Sequence, residues 1–525
     1  MRDAVPADQP ARVRVPDVVR RRLVPNMPTD RVTGILATLL VGVVAAIIRL
    51  VGLGSPKGMI FDEIYYAPEG QDLLRHGVEW NHNNNNGDFV VHPPLGKWLI
   101  GWGWGISKNV FHTQDEFSWR IASAVFGIIA VVIITRLARR MFRSTVLGCA
   151  AGLLMALDGL QFVLSRTALL DIFLMTFVLA AFACLVLDRE QRRRRWLHAL
   201  EAGIDPATGG RPPFAIPWWR LAGAVMIGCA MSVKWSALWY ILLFGVLVVI
   251  WEAGARRTVG VRRPWLSALG GEIGWLVLCG FVVLGVYLAS WSGWFATDVG
   301  YDRHWLHNQG RSEPPVLGAL YNLYQYHHEA MNFHNGLTAK HTYQSWPWQW
   351  LLLGRPVAFF WSSNDPCGAA SCASEVLLLG TPALWWAFIP MLAGLAWFGI
   401  SRRDWRGLAI GLGIAVGILP WFIWELDSRT MFYFYVLPAE PFLVLGMVYV
   451  LGALIRRPER PGVTHAPGGT ELLDQSDRRI MGVVLAAAFM FAVALIFAYF
   501  YPIYVGKSIP YDSWLARMWL GNRWI

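Results

Sequence analysis

Charged residues are scarce in this chain. Only 15% of its 525 residues are charged, whereas 55% are hydrophobic. So small a share of charge excludes an ordinary soluble protein of this length. The N-terminal 30 residues also lack the apolar stretch of a cleavable signal peptide, so we expect the first apolar run to remain as a membrane span. The chain has neither a repeat of fixed period nor a heptad pattern.

Long apolar runs are abundant instead, and several approach the 20 residues that cross a hydrocarbon layer of about 30 Å. They predict an all-α polytopic membrane protein with about eleven transmembrane helices. The predicted spans are 34–52, 120–138, 145–164, 168–187, 218–233, 236–251, 268–290, 379–400, 407–424, 431–453 and 481–501.

Arginine clusters recur at alternate ends of these spans. This pattern predicts a cytoplasmic N-terminus and an extracytoplasmic C-terminus. A nucleic-acid-binding surface is the competing interpretation, and the alternation argues against it. We therefore predict a basic, disordered tail over 1–33, a membrane domain over 34–505 and an extracytoplasmic segment over 506–525. The clusters are Arg20–Arg22, Arg139-Arg140, Arg192–Arg195, Arg256-Arg257, Arg262-Arg263, Arg402-Arg403 and Arg456-Arg457.

Two predicted outside loops, 53–119 and 291–378, are long enough to hold an active site. The second loop is rich in Trp, Tyr and His, which suits helices lying along the outer membrane surface. It also contains Cys367 and Cys372, for which we expect a disulfide in an oxidising compartment. The other four cysteines lie in apolar runs, where cysteine behaves as a small hydrophobic residue.

The first loop begins with an adjacent carboxylate pair, Asp62 and Glu63. Acidic groups are costly near a bilayer and are seldom placed there without a role. Partial desolvation beside Phe61 and Ile64 would make such a carboxylate more basic, which suits a general base acting on an alcohol. The alternative is a solvated pair that caps the following helix.

Three cations fall close to the same predicted boundary: Arg49, Lys97 and Arg120. Each on its own fits an interfacial anchor. Together, beside two carboxylates, they favour binding of a phosphate group at the membrane edge.

Two further segments supply candidates. Asp171 lies just inside the fourth span and either pairs with Arg166 or shapes the site. His327, Met331 and His334 share one face if their segment is helical. A metal site is conceivable there, but the Thr, Tyr, Trp and Lys residues that follow fit recognition of a sugar better.

These motifs resemble those of the protein O-mannosyltransferases, membrane enzymes of the GT-C class. The resemblance covers roughly residues 34–505. Since loop 291–378 is too short for the trefoil-type domain of eukaryotic members, the chain looks like a bacterial member, and its composition fits an actinobacterial source. The matching elements are Phe61-Asp62-Glu63, His92-Pro93-Pro94-Leu95-Gly96-Lys97, His334-x-x-Leu337-Thr338-x-x-His341-x-Tyr343-x-Ser345, Trp346-Pro347-Trp348, Arg355-Pro356-Val357 and Phe432–Tyr435 with Pro438.

The resemblance implies transfer of mannose from a polyprenyl-phosphate carrier to Ser or Thr of proteins crossing the plasma membrane, at the Sec translocon, by a single inverting displacement on the outer face. Asp62 would take the acceptor proton, Glu63 would position the acceptor, and the three cations would neutralise the departing phosphate. Neither a metal nor another cofactor would be required. The expected substrate-binding residues are His92, Asp171, His334, His341, Tyr343 and Tyr433.

Two alternatives remain open. One is another GT-C transferase that moves a sugar onto lipid or polysaccharide. The other is a transporter or lipid flippase, against which the gathering of charges at the outer boundary argues. The oligomeric state, the acceptor sites and the length of the carrier are not indicated by the sequence.

Overall fold

The computed structural model describes residues 15–455 and 470–525. The helices, numbered in chain order, are α1 (Asp17–Leu23), α2 (Arg31–Leu50), α3 (Glu63–His76), α4 (Leu95–Phe111), α5 (Asp115–Phe142), α6 (Thr145–Ala156), α7 (Gly159–Leu164), α8 (Asp171–Glu201), α9 (Trp218–Met231), α10 (Ala237–Thr258), α11 (Pro264–Ser290), α12 (Ser292–Ala296), α13 (Trp305–Asn308), α14 (Leu317–Gly336), α15 (Pro347–Trp350), α16 (Pro382–Ser401), α17 (Trp405–Ile418), α18 (Trp421–Leu426), α19 (Glu440–Ile455), α20 (Thr470–Tyr504) and α21 (Tyr511–Leu515).

The strands form two small sheets. In the first, β1 pairs with β2; in the second, β4 lies between β3 and β5, and all pairs are antiparallel. Three short 3₁₀ helices complete the structure. The strands are β1 (Trp80–Asn81), β2 (Asn86–Gly87), β3 (Val357–Ser362), β4 (Cys372–Leu378) and β5 (Ile509–Pro510), and the 3₁₀ helices are Pro206–Thr208, Tyr433–Ala439 and Gly521–Arg523.

Within the described ranges, nine helical segments are long and apolar enough to cross a membrane. Two shorter apolar helices, α6 and α9, fall where the sequence predicts two further spans. The helices thus match all eleven predicted runs in position, while the number that cross the membrane stays a prediction. Helix α8 forms the centre of the bundle, packing against α5, α9 and α10, whereas α11 exposes its apolar surface.

The N-terminal tail departs from the prediction of disorder. Residues 17–23 form α1, and Leu23 packs with Trp196 and Leu197 of α8 because the tail carries apolar residues between its arginines. The prediction is therefore wrong for this part of the tail. Residues 1–14, and the predicted cluster Arg456-Arg457, lie outside the described residues.

The second outside loop is also only partly as predicted. Helix α14 is present, but residues 357–378 form the β3–β4 hairpin rather than another surface helix. Aromatic and small apolar residues alternate between buried and more exposed positions along β3, which favours a strand. The chain is thus mainly rather than entirely α-helical. The predicted Cys367–Cys372 disulfide is formed near the tip of this hairpin, with 5.8 Å between the Cα atoms.

Candidate active site

A cavity of about 180 Å³ lies at one end of the bundle. Its lining comes from five parts of the chain, each at or beside a connection that the sequence places on the outer side. These are the first large loop, the start of α8, the α9–α10 turn with the start of α10, the second large loop and the segment 421–435. The lining residues are His92, Asp171, Leu174, Lys234, Trp235, Ser236, Leu238, Trp239, Met331, His334, Trp421, Trp424, Arg429 and Tyr435.

Asp62 is held beside this cavity by an unusual backbone turn. It directly precedes α3, and the residue before it, Phe61, has a φ of 48°. A bulky side chain rarely adopts this left-handed conformation, which usually persists only where surrounding contacts enforce it. Here the ring of Phe61 stacks on Phe359 of β3 at 4.4 Å and meets the edge of Phe434 at 6.0 Å. Strand β3 therefore helps to fix the carboxylate.

The environment of Asp62 makes it a stronger base than an ordinary aspartate. Burial raises its pKa to about 6; the positive charge of Lys234 opposes this shift, and the negative charge of Asp171 adds to it. At neutral pH the group is still mainly ionised, yet it accepts a proton more readily than a solvated carboxylate. This combination suits a general base.

Two cations of the cavity are absent from the sequence predictions. Lys234 donates to Asp171 at 2.8 Å, so Asp171 pairs with this lysine rather than with Arg166. The Lys234 ammonium also lies 5.8 Å from the centre of the Tyr435 ring. In the sequence, Lys234 stands in Ser232-Val233-Lys234-Trp235, directly after a short apolar run. A single cation at this predicted outer turn is the feature from which its place in the site could have been predicted.

Arg429 is the second cation. It donates to the carbonyl of His334 at 3.1 Å, and its guanidinium lies 5.9 Å from the ring of Trp424 and 5.7 Å from that of Tyr435. Within the described ranges it has no carboxylate within ion-pair distance. A mostly buried arginine among aromatic rings, facing a cavity, is suited to bind an anion.

The predicted histidines His92 and His334 do reach the cavity. Their rings lie 5.4 Å apart, and Nε2 of His334 is 3.1 Å from the carbonyl oxygen of Val91. Burial lowers the pKa of His334 to about 4 and holds the pKa of His92 well below its usual value. Both rings are therefore neutral at physiological pH and can offer hydrogen bonds and stacking surface without charge.

Glu63 and Arg120 form a buried ion pair and do not line the cavity. Nε and Nη2 of Arg120 donate to the two carboxylate oxygens, each at 2.8 Å. The remaining N–H groups donate to the carbonyls of Leu53, Pro56 and Gly58. Since all five donors are satisfied, Arg120 has none left for a phosphate, and that prediction is wrong in geometry. The pair shapes the loop that carries Asp62.

The other two predicted phosphate ligands also point elsewhere. Arg49 is fully buried and donates to Gln161 and to the carbonyl of Ala156. Lys97 is fully buried between Glu79 and Glu69, the latter 3.4 Å away. Helix packing thus turns both cations inward, to neutral partners for Arg49 and to acidic partners for Lys97.

Three predicted substrate-binding residues do not line the cavity. Tyr433 is buried against Trp385 at 5.2 Å, and its neighbour Tyr435 takes the cavity position. His341 contacts the edge of the Phe432 ring at 5.0 Å, and Tyr343 lies under the guanidinium of Arg355 at 5.3 Å. The matched segments are therefore near the site, while the individual positions differ from those expected.

The sequence matches two models of known protein families. The model "C-terminal four TMM region of protein-O-mannosyltransferase" matches residues 319–524, and "Dolichyl-phosphate-mannose-protein mannosyltransferase" matches residues 39–210. A polyprenol-phosphate-mannose–protein mannosyltransferase of Mycolicibacterium smegmatis is 38% identical over 94% of this chain and 93% of its own. The chain belongs to the protein O-mannosyltransferase family.

Further similarities agree with this family. The Mycobacterium tuberculosis protein of the same name is 37% identical over 98% of this chain and 97% of its own. The fold matches that of the Saccharomyces cerevisiae protein O-mannosyltransferase Pmt1-Pmt2 complex bound to the sugar donor, with a TM-score of 0.70 at 15% identity. That match covers 97% of this chain and 94% of the solved chain. The predicted family, the GT-C fold and the similarity to actinobacterial members are thereby confirmed.

Proposed function

We propose that this chain transfers mannose from polyprenyl-phosphate-mannose to Ser or Thr hydroxyls of proteins, with Asp62 as the general base. The observation that carries the proposal is the placement of a basic carboxylate beside a cavity that holds two cations, Lys234 and Arg429. The relatives of matching length are named for the same donor and for protein acceptors.

Asp62 removes the proton from the acceptor hydroxyl as that oxygen attacks the anomeric carbon. The C–O bond to the phosphate breaks on the opposite face in the same step, so the configuration inverts. General base catalysis of this kind typically contributes about 10²–10⁴-fold to the rate. Glu63 does not touch the acceptor in this scheme; through Arg120 it holds the loop in position.

Lys234 and Arg429 bind the phosphate and stabilise the negative charge that grows on it as the sugar leaves. The sequence had led us to expect this phosphate-neutralising role for Arg49, Lys97 and Arg120 instead. Apolar cavity residues, including Leu174, Leu238 and Trp239, offer a surface for the first isoprene units of the carrier. Since two cations already face the leaving group, the reaction needs no metal.

The sugar itself lies among the neutral rings of the cavity. His92, His334 and Tyr435 present stacking surface and hydrogen-bonding groups to a mannose held between the phosphate-binding cations and Asp62. Aromatic faces and a few polar atoms are the usual composition of a small-molecule site.

The site acts on the extracytoplasmic side. The arginine clusters at the opposite end of the bundle support this orientation through the positive-inside rule. Unfolded segments emerging from the Sec translocon would present Ser and Thr in extended form, which is why we expect acceptors to be secreted or membrane proteins.

Transfer of labelled mannose tests the proposal. Membranes containing the full chain are incubated with labelled polyprenyl-phosphate-mannose and a peptide rich in Ser and Thr; the control peptide has Ala in their place. We expect label only on the hydroxyl-bearing peptide, linked with the anomeric configuration opposite to that of the donor. Label on lipid or glycan, with none on peptide, would instead favour a GT-C transferase that moves a sugar onto lipid or polysaccharide.

A further inference from the structure

A second cavity of about 180 Å³, here called the basic cavity, lies at the opposite end of the bundle. Asp171 of the candidate active site begins α8, whereas Arg192 and Arg195 of the basic cavity lie beyond its middle. At 1.5 Å per residue this separation is about 30 Å, the thickness of a hydrocarbon layer. Helices α10 and α11 and segment 211–215 complete its walls. The positive-inside rule puts this cavity at the cytoplasmic surface.

Part of the charge around the basic cavity is balanced internally. Three arginines and three carboxylates form one network, in which Glu272 accepts from Arg220 at 2.5 Å and from Arg256 at 2.8 Å. The same Glu272 accepts from Arg192 at 2.5 Å. Asp188 pairs with Arg220 and Glu252 with Arg192, so this network has no net charge.

Two further lining arginines are left in excess. Arg195 donates only to backbone carbonyls, those of Pro213 and Ala215. Arg211 is exposed and makes no hydrogen bond or ion pair with the part of the chain that the structure describes. Each carries a full positive charge without a carboxylate within ion-pair distance among the described residues. The cavity is therefore complementary to an anion.

Exposed aromatic side chains surround the basic cavity, as is typical of a protein surface at the level of the lipid headgroups. Phe214 is 83% exposed and stacks on Trp275 at 6.0 Å. Trp218 and Trp265, at the starts of α9 and α11, are 65% and 49% exposed. Tryptophan favours the headgroup region of a bilayer, and the exposed apolar face of α11 continues from it toward the membrane interior.

We propose that the basic cavity binds the headgroup of an anionic phospholipid of the cytoplasmic leaflet. The phosphodiester contacts Arg195 and Arg211, and the acyl chains lie along the exposed face of α11 beside Trp275. Basic pockets between membrane helices on the cytoplasmic side are a common way to bind such headgroups. This inference is independent of the proposed transferase activity and concerns a separate site.

Thermal unfolding of the purified full chain in detergent tests the proposal. The protein is titrated with phosphatidylglycerol, with phosphatidylcholine or with inorganic phosphate. We expect phosphatidylglycerol to raise the Tm saturably and the other two to have little effect. In the double variant Arg195→Gln/Arg211→Gln the apparent affinity for phosphatidylglycerol should fall about tenfold or more, given two lost cation contacts.

A matched control removes the same charge from the same end of the protein. Arg402 and Arg403 are exposed and lie outside the basic cavity, so Arg402→Gln/Arg403→Gln should keep the wild-type response. Arg211→Gln alone breaks no hydrogen bond or ion pair among the described residues, so it tests the proposal even if the double variant unfolds. It should weaken the apparent affinity for phosphatidylglycerol severalfold. An equal effect of phosphatidylcholine, equal losses in the control, or stabilisation by inorganic phosphate alone would each overturn the lipid assignment.

Discussion

Glu63 and Arg120 meet through two hydrogen bonds of 2.8 Å, and neither side chain has any exposed surface. The carboxylate also accepts from the backbone N–H groups of Ile60 and Ala168, at 3.0 and 2.9 Å. The pair therefore ties the loop before Asp62 to the start of α5 and to the α7–α8 turn. Of the two adjacent acids, Glu63 therefore holds the loop in place, and Asp62 is the one that we propose as the general base.

Glu63→Gln should lower stability and activity together. The amide cannot balance the buried Arg120, and breaking a buried ion pair costs about 3–5 kcal/mol. We expect a clear drop in Tm and a loss of transfer. Asp115→Asn breaks an exposed pair with Lys108 and should change both little. A Glu63→Gln variant with the wild-type Tm and no activity would instead give Glu63 a direct role in the reaction.

The pH dependence of transfer should report the titration of Asp62. Its carboxyl has a raised pKa of about 6, and only the ionised form accepts a proton. The rate at saturating donor should therefore fall as the pH drops through about 6. An acid limb near pH 4 would show that the base is an ordinary, solvated carboxylate. Membranes assayed with one peptide from pH 8 down to about pH 3 give a profile that distinguishes the two outcomes.

Lys234→Gln and Lys97→Gln should distinguish a lysine that binds phosphate from a lysine that only stabilises the fold. Lys234 faces the cavity, so its loss should weaken binding of polyprenyl phosphate about tenfold or more, as expected for a charge-assisted contact. Lys97 lies buried between Glu69 and Glu79, so its loss should lower Tm while the folded protein keeps its affinity. If Lys97→Gln weakened carrier binding and Lys234→Gln did not, Lys97 rather than Lys234 would be the phosphate-binding residue.

The Cys367–Cys372 disulfide should stabilise the β3–β4 hairpin without taking part in transfer. It closes a loop of few residues, for which chain entropy gives about 2 kcal/mol. We expect Cys367→Ser/Cys372→Ser to unfold at a lower temperature and to retain activity under mild conditions. Peptide mapping without reductant checks the bond itself. A variant that is stable yet inactive would place the hairpin tip in the reaction.

Much of the fold follows from sequence because membrane spans have a simple signature. Apolar runs of fixed length and alternating arginine clusters indicated the positions of the helices and one basic end. The hairpin of residues 357–378 was missed because its strands are short and begin beside a membrane run, where a stretch such as Val357–Phe360 fits a helix equally well.

The candidate site was predicted in part. Asp62, His92, Asp171 and His334 lie at or beside the cavity because their motifs sit at predicted outer turns. The cations were assigned wrongly, since spacing along the chain does not tell which way a helix turns a side chain. Arg49, Lys97 and Arg120 found buried partners, and the cavity received Lys234 and Arg429 from two short turns.

The most direct test of the central claim compares wild type with Asp62→Asn in one purified preparation. Mannose transfer to peptide and binding of polyprenyl phosphate are measured together, with Tm as a control for folding. We predict that the variant binds the carrier normally and unfolds at the same or a higher temperature at pH 7, because neutral Asn avoids the cost of burying a charge. Transfer should fall by at least about 10²-fold. Transfer near the wild-type rate would contradict the assignment of Asp62 as the base.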